Sequence, residues 1–173
     1  ADGELWNLWF TSVPGPGGMH AYVQTALDAL AQGGAMPFAV RDKRDGTIAG
    51  STRFFDFEPE LPRVEIGYTW YAASRQRSHV NTACKRLLLA RAFEALKCAA
   101  VQFSTDRYNH ASQRAIERLG ARRDGILRSH RLRADGSVRD SVVYSILAAE
   151  WPEVRRLLEL RLARRRTELA DAG

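Results

Sequence analysis

Apolar and polar positions alternate most cleanly in residues 63–71, RVEIGYTWY. Val64, Ile66, Tyr68 and Trp70 fall on one face of an extended chain, and Glu65, Gly67, Thr69 and Tyr71 on the other. A polar, basic stretch follows at 74–81. After it Ala83, Leu87, Leu88, Ala90, Phe93 and Leu96 recur around nearly the whole circumference of a helix, which predicts burial on more than one side. Strand, basic loop and buried helix form a unit with a chemical use. The first helical turn carries unpaired N–H groups and a partial positive charge, so it attracts anions, phosphates above all. Arg75 and Arg77 add full charges at the same place.

The flanking pattern predicts further elements. Residues 4–10 hold Leu5, Trp6, Leu8, Trp9 and Phe10 and read as the end of a helix with its aromatics turned inward. Residues 12–18, with Pro14, Gly15 and Pro16, are a loop. A helix is expected over 19–32, with Tyr22, Ala26, Ala29 and Leu30 on one face and Gly33 and Gly34 ending it. Residues 37–41 and 47–56 form a hairpin about Asp45-Gly46, and 99–105 a second buried strand. Residues 109–120 read as a helix between an Asn109 cap and a terminal Gly120, with Ser112, Ile116 and Leu119 on one inward stripe. A second hairpin turns about Asp135-Gly136, with Val138, Asp140, Val142, Tyr144 and Ile146 alternating. From 150 onward Val154, Leu157, Leu158, Leu160 and Leu162 accompany arginines from Arg155 to Arg166. That basic amphipathic helix suits either an acidic partner or a solvated face.

Composition narrows the class. A chain of 173 residues, 45% apolar, holds enough core to fold as one domain, here 1–149, with 150–173 as an appended basic helix. No apolar run reaches the roughly 20 residues that span a bilayer, and no segment reads as a secretory signal, so no membrane partner is expected. The charge of +6 fits an anionic ligand and fits nucleic acid equally well. Cys84 and Cys98 lie about 20 Å apart if one helix carries both, too far to bridge, and free thiols suit a cytoplasmic setting. No His/Cys cluster has metal spacing, and no metal is expected.

EIGYTW followed by QRSHVNTACK, with N..S..A...LG downstream, resembles the acyl-CoA-binding core of the GNAT N-acetyltransferase superfamily. Within it the likeness is to the branch of ribosomal-protein N-terminal alanine acetyltransferases, and it covers 5–147. The resemblance implies an α/β (α+β) fold: a mixed, mostly antiparallel sheet with a splayed central strand pair and flanking helices. The family's first strand is expected to be missing from this chain. Acetyl-CoA is implied as co-substrate. Its pantetheine arm would bond the backbone of Thr69, Trp70 and Tyr71, its pyrophosphate would meet Gln76, Arg77, Ser78, His79, Val80, Asn81 and Thr82, and Asn109 would add a contact. His79 departs from the family's usual glycine, and Asn81 stands where the family often has glycine or alanine. In that fold the region holding Trp6, Trp9 and Tyr22 shapes the acceptor pocket, although aromatic core is the other reading of those residues.

The resemblance also implies direct attack by an amine on the thioester in a ternary complex. Ser112 matches the branch's acid, which reprotonates the departing thiolate, and a capping role is its alternative; Tyr108 and Tyr144 are reserves. The branch places a glutamate base before the last turn, where this chain has His130 and Arg131. Base assignment is therefore open, with Glu65 and His130 as the candidates. Two other classes stay open: a CoA-binding regulatory module without catalysis, and, as the weaker reading, a basic nucleic-acid-binding protein. A homodimer is compatible with the sequence. The acceptor, whether protein N-terminus, polyamine, amino acid or antibiotic amine, is not named by it.

Overall fold

A computed structural model describes residues 5–11, 13–15, 17–133 and 135–170, without the side chains of Trp6, Arg166, Glu168, Leu169 and Ala170. Six strands form one sheet: β1 (Ala35–Arg41), β2 (Ile48–Glu58), β3 (Arg63–Tyr71), β4 (Ala100–Asp106), β5 (Arg122–Leu132) and β6 (Val138–Leu147). Their order is β1-β2-β3-β4-β6-β5. Every neighbouring pair is antiparallel except β3 and β4. Four helices flank the sheet: α1 (Met19–Ala31), α2 (Val80–Ala90), α3 (His110–Glu117) and α4 (Trp151–Ala170). Among the described residues β1 is an edge strand of this sheet.

One face of the sheet makes the core. Val64, Ile66, Val101, Phe103, Val142, Tyr144 and Ile146 pack there against Leu88, Leu89 and Phe93 of the α2 side, Ile116 and Leu119 of the α3 side, and Trp151, Val154 and Leu158 of α4. The basic C-terminal helix is thus seated on the core by its apolar stripe. Full burial of a side chain such as Leu158 is worth about 2 kcal/mol by area. Gly120 makes the seat fit: its φ is +98°, and a Cβ there would stand 3.1 Å from Val154 Cγ2. The helix after β3 ends in a π-type turn, Arg91–Ala95, before the chain enters β4.

Three expectations change. The aromatics of the first segment do not all turn inward: among the described residues only a short 3-10 turn forms there, at Leu5–Asn7, and Trp9 stays half exposed with Arg133 stacked at 4.6 Å from its ring centre. The stretch about residue 87 is not apolar against protein all round, since Leu87 is 65% exposed while Lys85 is buried. The alternation of β3 is not continuous either. Arg53 pairs with Gly67 and Ser51 with Trp70, so Thr52 faces two residues, Tyr68 and Thr69, and Tyr68 has φ +50°. This is a β-bulge, and it flips the phase by one residue. Beyond it Tyr71 joins Ala49 and Val80 in a buried cluster, whereas Trp70 turns toward α1, its Nε1 donating to Tyr22 Oη at 3.2 Å.

Candidate active site

The parallel pairing of β3 with β4 lasts only from Arg63–Ala100 to Glu65–Gln102. Past it the strands diverge, and a cleft of about 850 Å³ opens between them. Its walls include Ile66 to Tyr71 of β3, Phe103 to Asp106 of β4, the turn before α2, the start of α3 and residues of α4. Strand edges that part in this way leave N–H and C=O groups in need of partners, which an extended ligand arm can supply.

At one end lies the turn that the sequence marked. A 3-10 turn at Ala73–Arg75 leads to Arg77, whose φ is +53°, and α2 begins at Val80. Ser78 Oγ donates to the Arg75 carbonyl (2.6 Å) and accepts the Val80 N–H (3.2 Å), which fixes the corner. The first bond within α2 runs from the Ala83 N–H to the His79 carbonyl, so the N–H groups of Asn81 and Thr82 have no partner inside the helix. Arg75 is held by Asp42 and Asp45. From α4, Arg165 donates to the Arg77 carbonyl at 2.7 Å and Arg161 to the Arg118 carbonyl, which brings both guanidiniums into the cleft wall. Among the described residues no ion pair forms at Arg77, Arg118, Arg161 or Arg165. Unpaired positive charge beside free helix-start amides is able to hold an anion such as a phosphate.

The other end belongs to the sheet face opposite the core. Strand register puts Glu65, Ser104, Asp106, Arg131 and Arg139 on that face. Ser104 Oγ donates to the Glu65 carboxylate, which is 5% exposed, and burial raises the Glu65 pKa against the lowering effect of that bond and of Arg131. Asp106 accepts from Arg133 Nε at 2.7 Å in a buried ion pair, and its other oxygen takes the Tyr108 N–H at 2.9 Å. Trp9, Phe10, Tyr22, Tyr68 and Leu132 add aromatic and apolar wall.

Beneath the bulge a lysine from the core side reaches the cleft. Lys85 Nζ donates to Thr69 Oγ1 (2.6 Å) and Thr52 Oγ1 (3.1 Å), and the side chain is 4% exposed. Loss of hydration brings its pKa down to about 8.

Of the residues expected from the sequence, Thr69, Trp70, Tyr71, Gln76, Arg77, Ser78, His79, Asn81, Thr82, Asn109 and Ser112 line this one cleft. Asn109 caps α3 by accepting the Ser112 N–H at 3.0 Å, so the serine itself is not the cap, and its hydroxyl makes no bond among the described residues. Val80 does not line the cleft: its side chain is buried with Ala49 and Tyr71. Glu65 lies one side chain behind the wall, connected to it through Ser104. His130 does not join the group, because β5 carries it exposed on the sheet's outer edge. Neither reserve fits: Tyr144 is fully buried and bonded to Glu117, and Tyr108 borders a separate shallow cavity. Trp9 and Tyr22 line the cleft, while the Trp6 side chain lies outside the described residues. Sequence reasoning missed Lys85, Ser104, Asp106 and Arg139. Lys85 alone left a signal, a cation three and four positions before the core residues Leu88 and Leu89.

The acetyltransferase (GNAT) domain family matches residues 1–122. A protein from T. thermophilus carrying a provisional acetyltransferase name is 39% identical, over 89% of this chain and 81% of its own, with a TM-score of 0.78. A GCN5-related N-acetyltransferase from Brucella melitensis is 28% identical over 81% of this chain and 63% of its own, with a TM-score of 0.74. Mycobacterium smegmatis RimJ in complex with CoA-disulfide shares the fold at 23% identity and a TM-score of 0.71, over 83% of this chain and 68% of its own. Among the described residues no helix is long and apolar enough to cross a membrane.

Proposed function

The chain belongs to the GNAT acetyltransferase family, and from that premise we propose that it moves an acetyl group from acetyl-CoA to an amine by direct attack in a ternary complex. One observation carries the reading. The β3–β4 gap runs from a basic turn with free helix-start amides to a face that holds a buried carboxylate. A long anionic thioester fits that path. The unpaired arginines suit its phosphates, and the open edges of β3 and β4 suit the amides of its arm.

When bound, acetyl-CoA supplies an activated carbonyl. A main-chain N–H on the β3 edge that faces the gap, past the end of its pairing with β4, would polarise that carbonyl. Glu65, its pKa raised by burial above the ordinary carboxylate value, takes the ammonium proton by way of Ser104 or a water. Ser112 faces the cleft from the first turn of α3 and donates to the leaving sulfur. The helix-start amides and the α4 arginines fix the donor's far end so that the reacting end stays in register. The likeness in EIGYTW and QRSHVNTACK supports the protein N-terminal branch as an origin for this machinery; the acceptor is a separate question.

Calorimetry with CoA and with pantetheine tests the donor half. Two or three charge-assisted phosphate bonds should separate the two ligands by about 3–6 kcal/mol. Equal affinities would remove the phosphate turn from the assignment. Thiol release from acetyl-CoA across an amine panel tests the transfer; tight CoA binding with no acceptor turned over would leave a CoA-binding module instead.

A further inference from the structure

We infer that the acceptor is a small amine bearing a carboxylate a few bonds from its nitrogen, and that Arg139 recognises that carboxylate. The inference rests on the acetyltransferase reading and specifies its second substrate.

Arg139 lines the cleft from β6, and its Nε is shielded from solvent without a hydrogen-bond partner. Among the described residues its guanidinium makes no ion pair either. The carboxylates around it are engaged: Asp106 binds Arg133 and the Tyr108 N–H, and Glu65 accepts from Ser104. Its neighbour Arg133 shows the satisfied alternative, bonded to Asp106, Ser137 Oγ at 3.0 Å and the Val138 carbonyl. A half-buried guanidinium with idle donors is costly in the free protein, and a ligand carboxylate matches its planar fork with two parallel bonds. Burial holds the Arg139 pKa below its ordinary value, opposed by attraction to Asp106 and Glu65; the group stays charged.

The charge of the whole cleft narrows the acceptor further. Arg77, Arg118, Arg161 and Arg165 stand at one end and Arg133 and Arg139 at the other, and Asp106 is the one carboxylate in the wall among the described residues. That field repels a polyamine or a multiply cationic antibiotic. A zwitterion meets a match for each charge: its ammonium faces Ser104, with Glu65 bonded behind it, and its carboxylate faces Arg139, all on one sheet face.

The test is thiol release from acetyl-CoA by the full chain, with free amino acids and ω-amino acids set against their amides, matched amines without an anion, phosphoethanolamine, polyamines and peptides with free N-termini. Free acids should be acetylated with KM roughly 10- to 100-fold below that of their amides, the scale of one charge-assisted pair. Arg139→Gln should remove that preference by raising KM for the acid and leaving the amide unchanged, and Arg139→Lys should restore part of it. Equal use of acid and amide, an Arg139→Gln effect common to both, or preference for peptides or phosphoethanolamine would overturn the inference while leaving the acetyltransferase reading intact. A chain that neither binds acetyl-CoA in calorimetry nor releases thiol with any amine would overturn both.

Discussion

The two faces of the sheet are built on opposite rules. The core face is apolar from β3 to β6, with Val64, Val101, Tyr144 and Ile146 fully buried under α2, α3 and α4. The opposite face, over the same strands, carries Glu65, Ser104, Asp106 and Arg139. Helices close the first face, so its side chains need only fill space. The second is closed in part by α1 and the N-terminal turn, and its charges are kept by pairing or, at Arg139, left for something outside the chain. Buried charge costs several kcal/mol per ion unless it is matched, so a folded chain keeps it where binding or chemistry returns that cost.

The largest expected effect comes from changing the charged face at its proton acceptor. Glu65→Gln should lower kcat by roughly 10²- to 10⁴-fold, the usual range for general-base loss. Burial raises the Glu65 pKa, so wild-type activity should fall with decreasing pH along a limb that lies above the ordinary carboxylate range. That limb should vanish in the variant. His130→Ala, on the exposed outer strand, should keep both rate and profile. The reverse pattern would move the base to the edge strand and empty the charged face of its role.

The contrast between the faces also explains what was legible in the sequence. Core-face elements announce themselves by period: both hairpins, the strand at 100–106, the Asn109 cap and the Gly120 stop stand where the alternation puts them. The basic turn before α2 was legible because one contiguous stretch supplies it. The polar face was not, since Glu65, Ser104 and Arg139 come from three strands and reach one face only through strand pairing. The bulge at Tyr68 was invisible for a different reason. One inserted residue keeps the same letters and exchanges their faces, so Trp70 and Tyr71 changed sides without any change in composition.

Lys85 is the exception that sharpens the contrast, a cation on the core side held by two threonine hydroxyls below the bulge. Its pKa falls from 10.5 to about 8, mainly through desolvation. Below pH 8 the lysine is charged in both the folded and unfolded states, and the folded chain bears the full penalty. Between about 8 and 10.5 the unfolded chain binds a proton that the folded chain does not, so stability rises with pH, by roughly 3 kcal/mol at 1.36 kcal/mol per pKa unit. Urea unfolding of wild type at pH 7.5 and pH 10 should show this gain, and Lys85→Met should lack it. An identical gain in both proteins would mean that other groups produce it and that Lys85 is not desolvated as its position demands.

The smallest effect concerns the turn where the two faces meet, and it separates two positions that the family likeness treats differently. Glycine is usual at the place of His79, yet His79 has φ −70° and ψ −17°, helical values that any residue adopts. The left-handed residue is Arg77, at φ +53°. A side chain with a Cβ costs about 1–2 kcal/mol there, and glycine removes that cost while adding roughly 0.5–1 kcal/mol of unfolded-state entropy. Arg77→Gly should therefore leave ligand-free stability unchanged or raise it by up to about 1.5 kcal/mol. It also deletes one charge from the phosphate end, so CoA should bind about 3- to 10-fold more weakly, with a shallower dependence on salt. His79→Gly relieves no strain and should lower stability slightly, by the ordinary penalty of glycine at a helix start, a few tenths of a kcal/mol. Unfolding curves and calorimetry on the two variants measure both quantities. Stability that rises in His79→Gly and falls in Arg77→Gly would reverse the assignment of strain along the turn, and would return the family's glycine to the position where the likeness puts it.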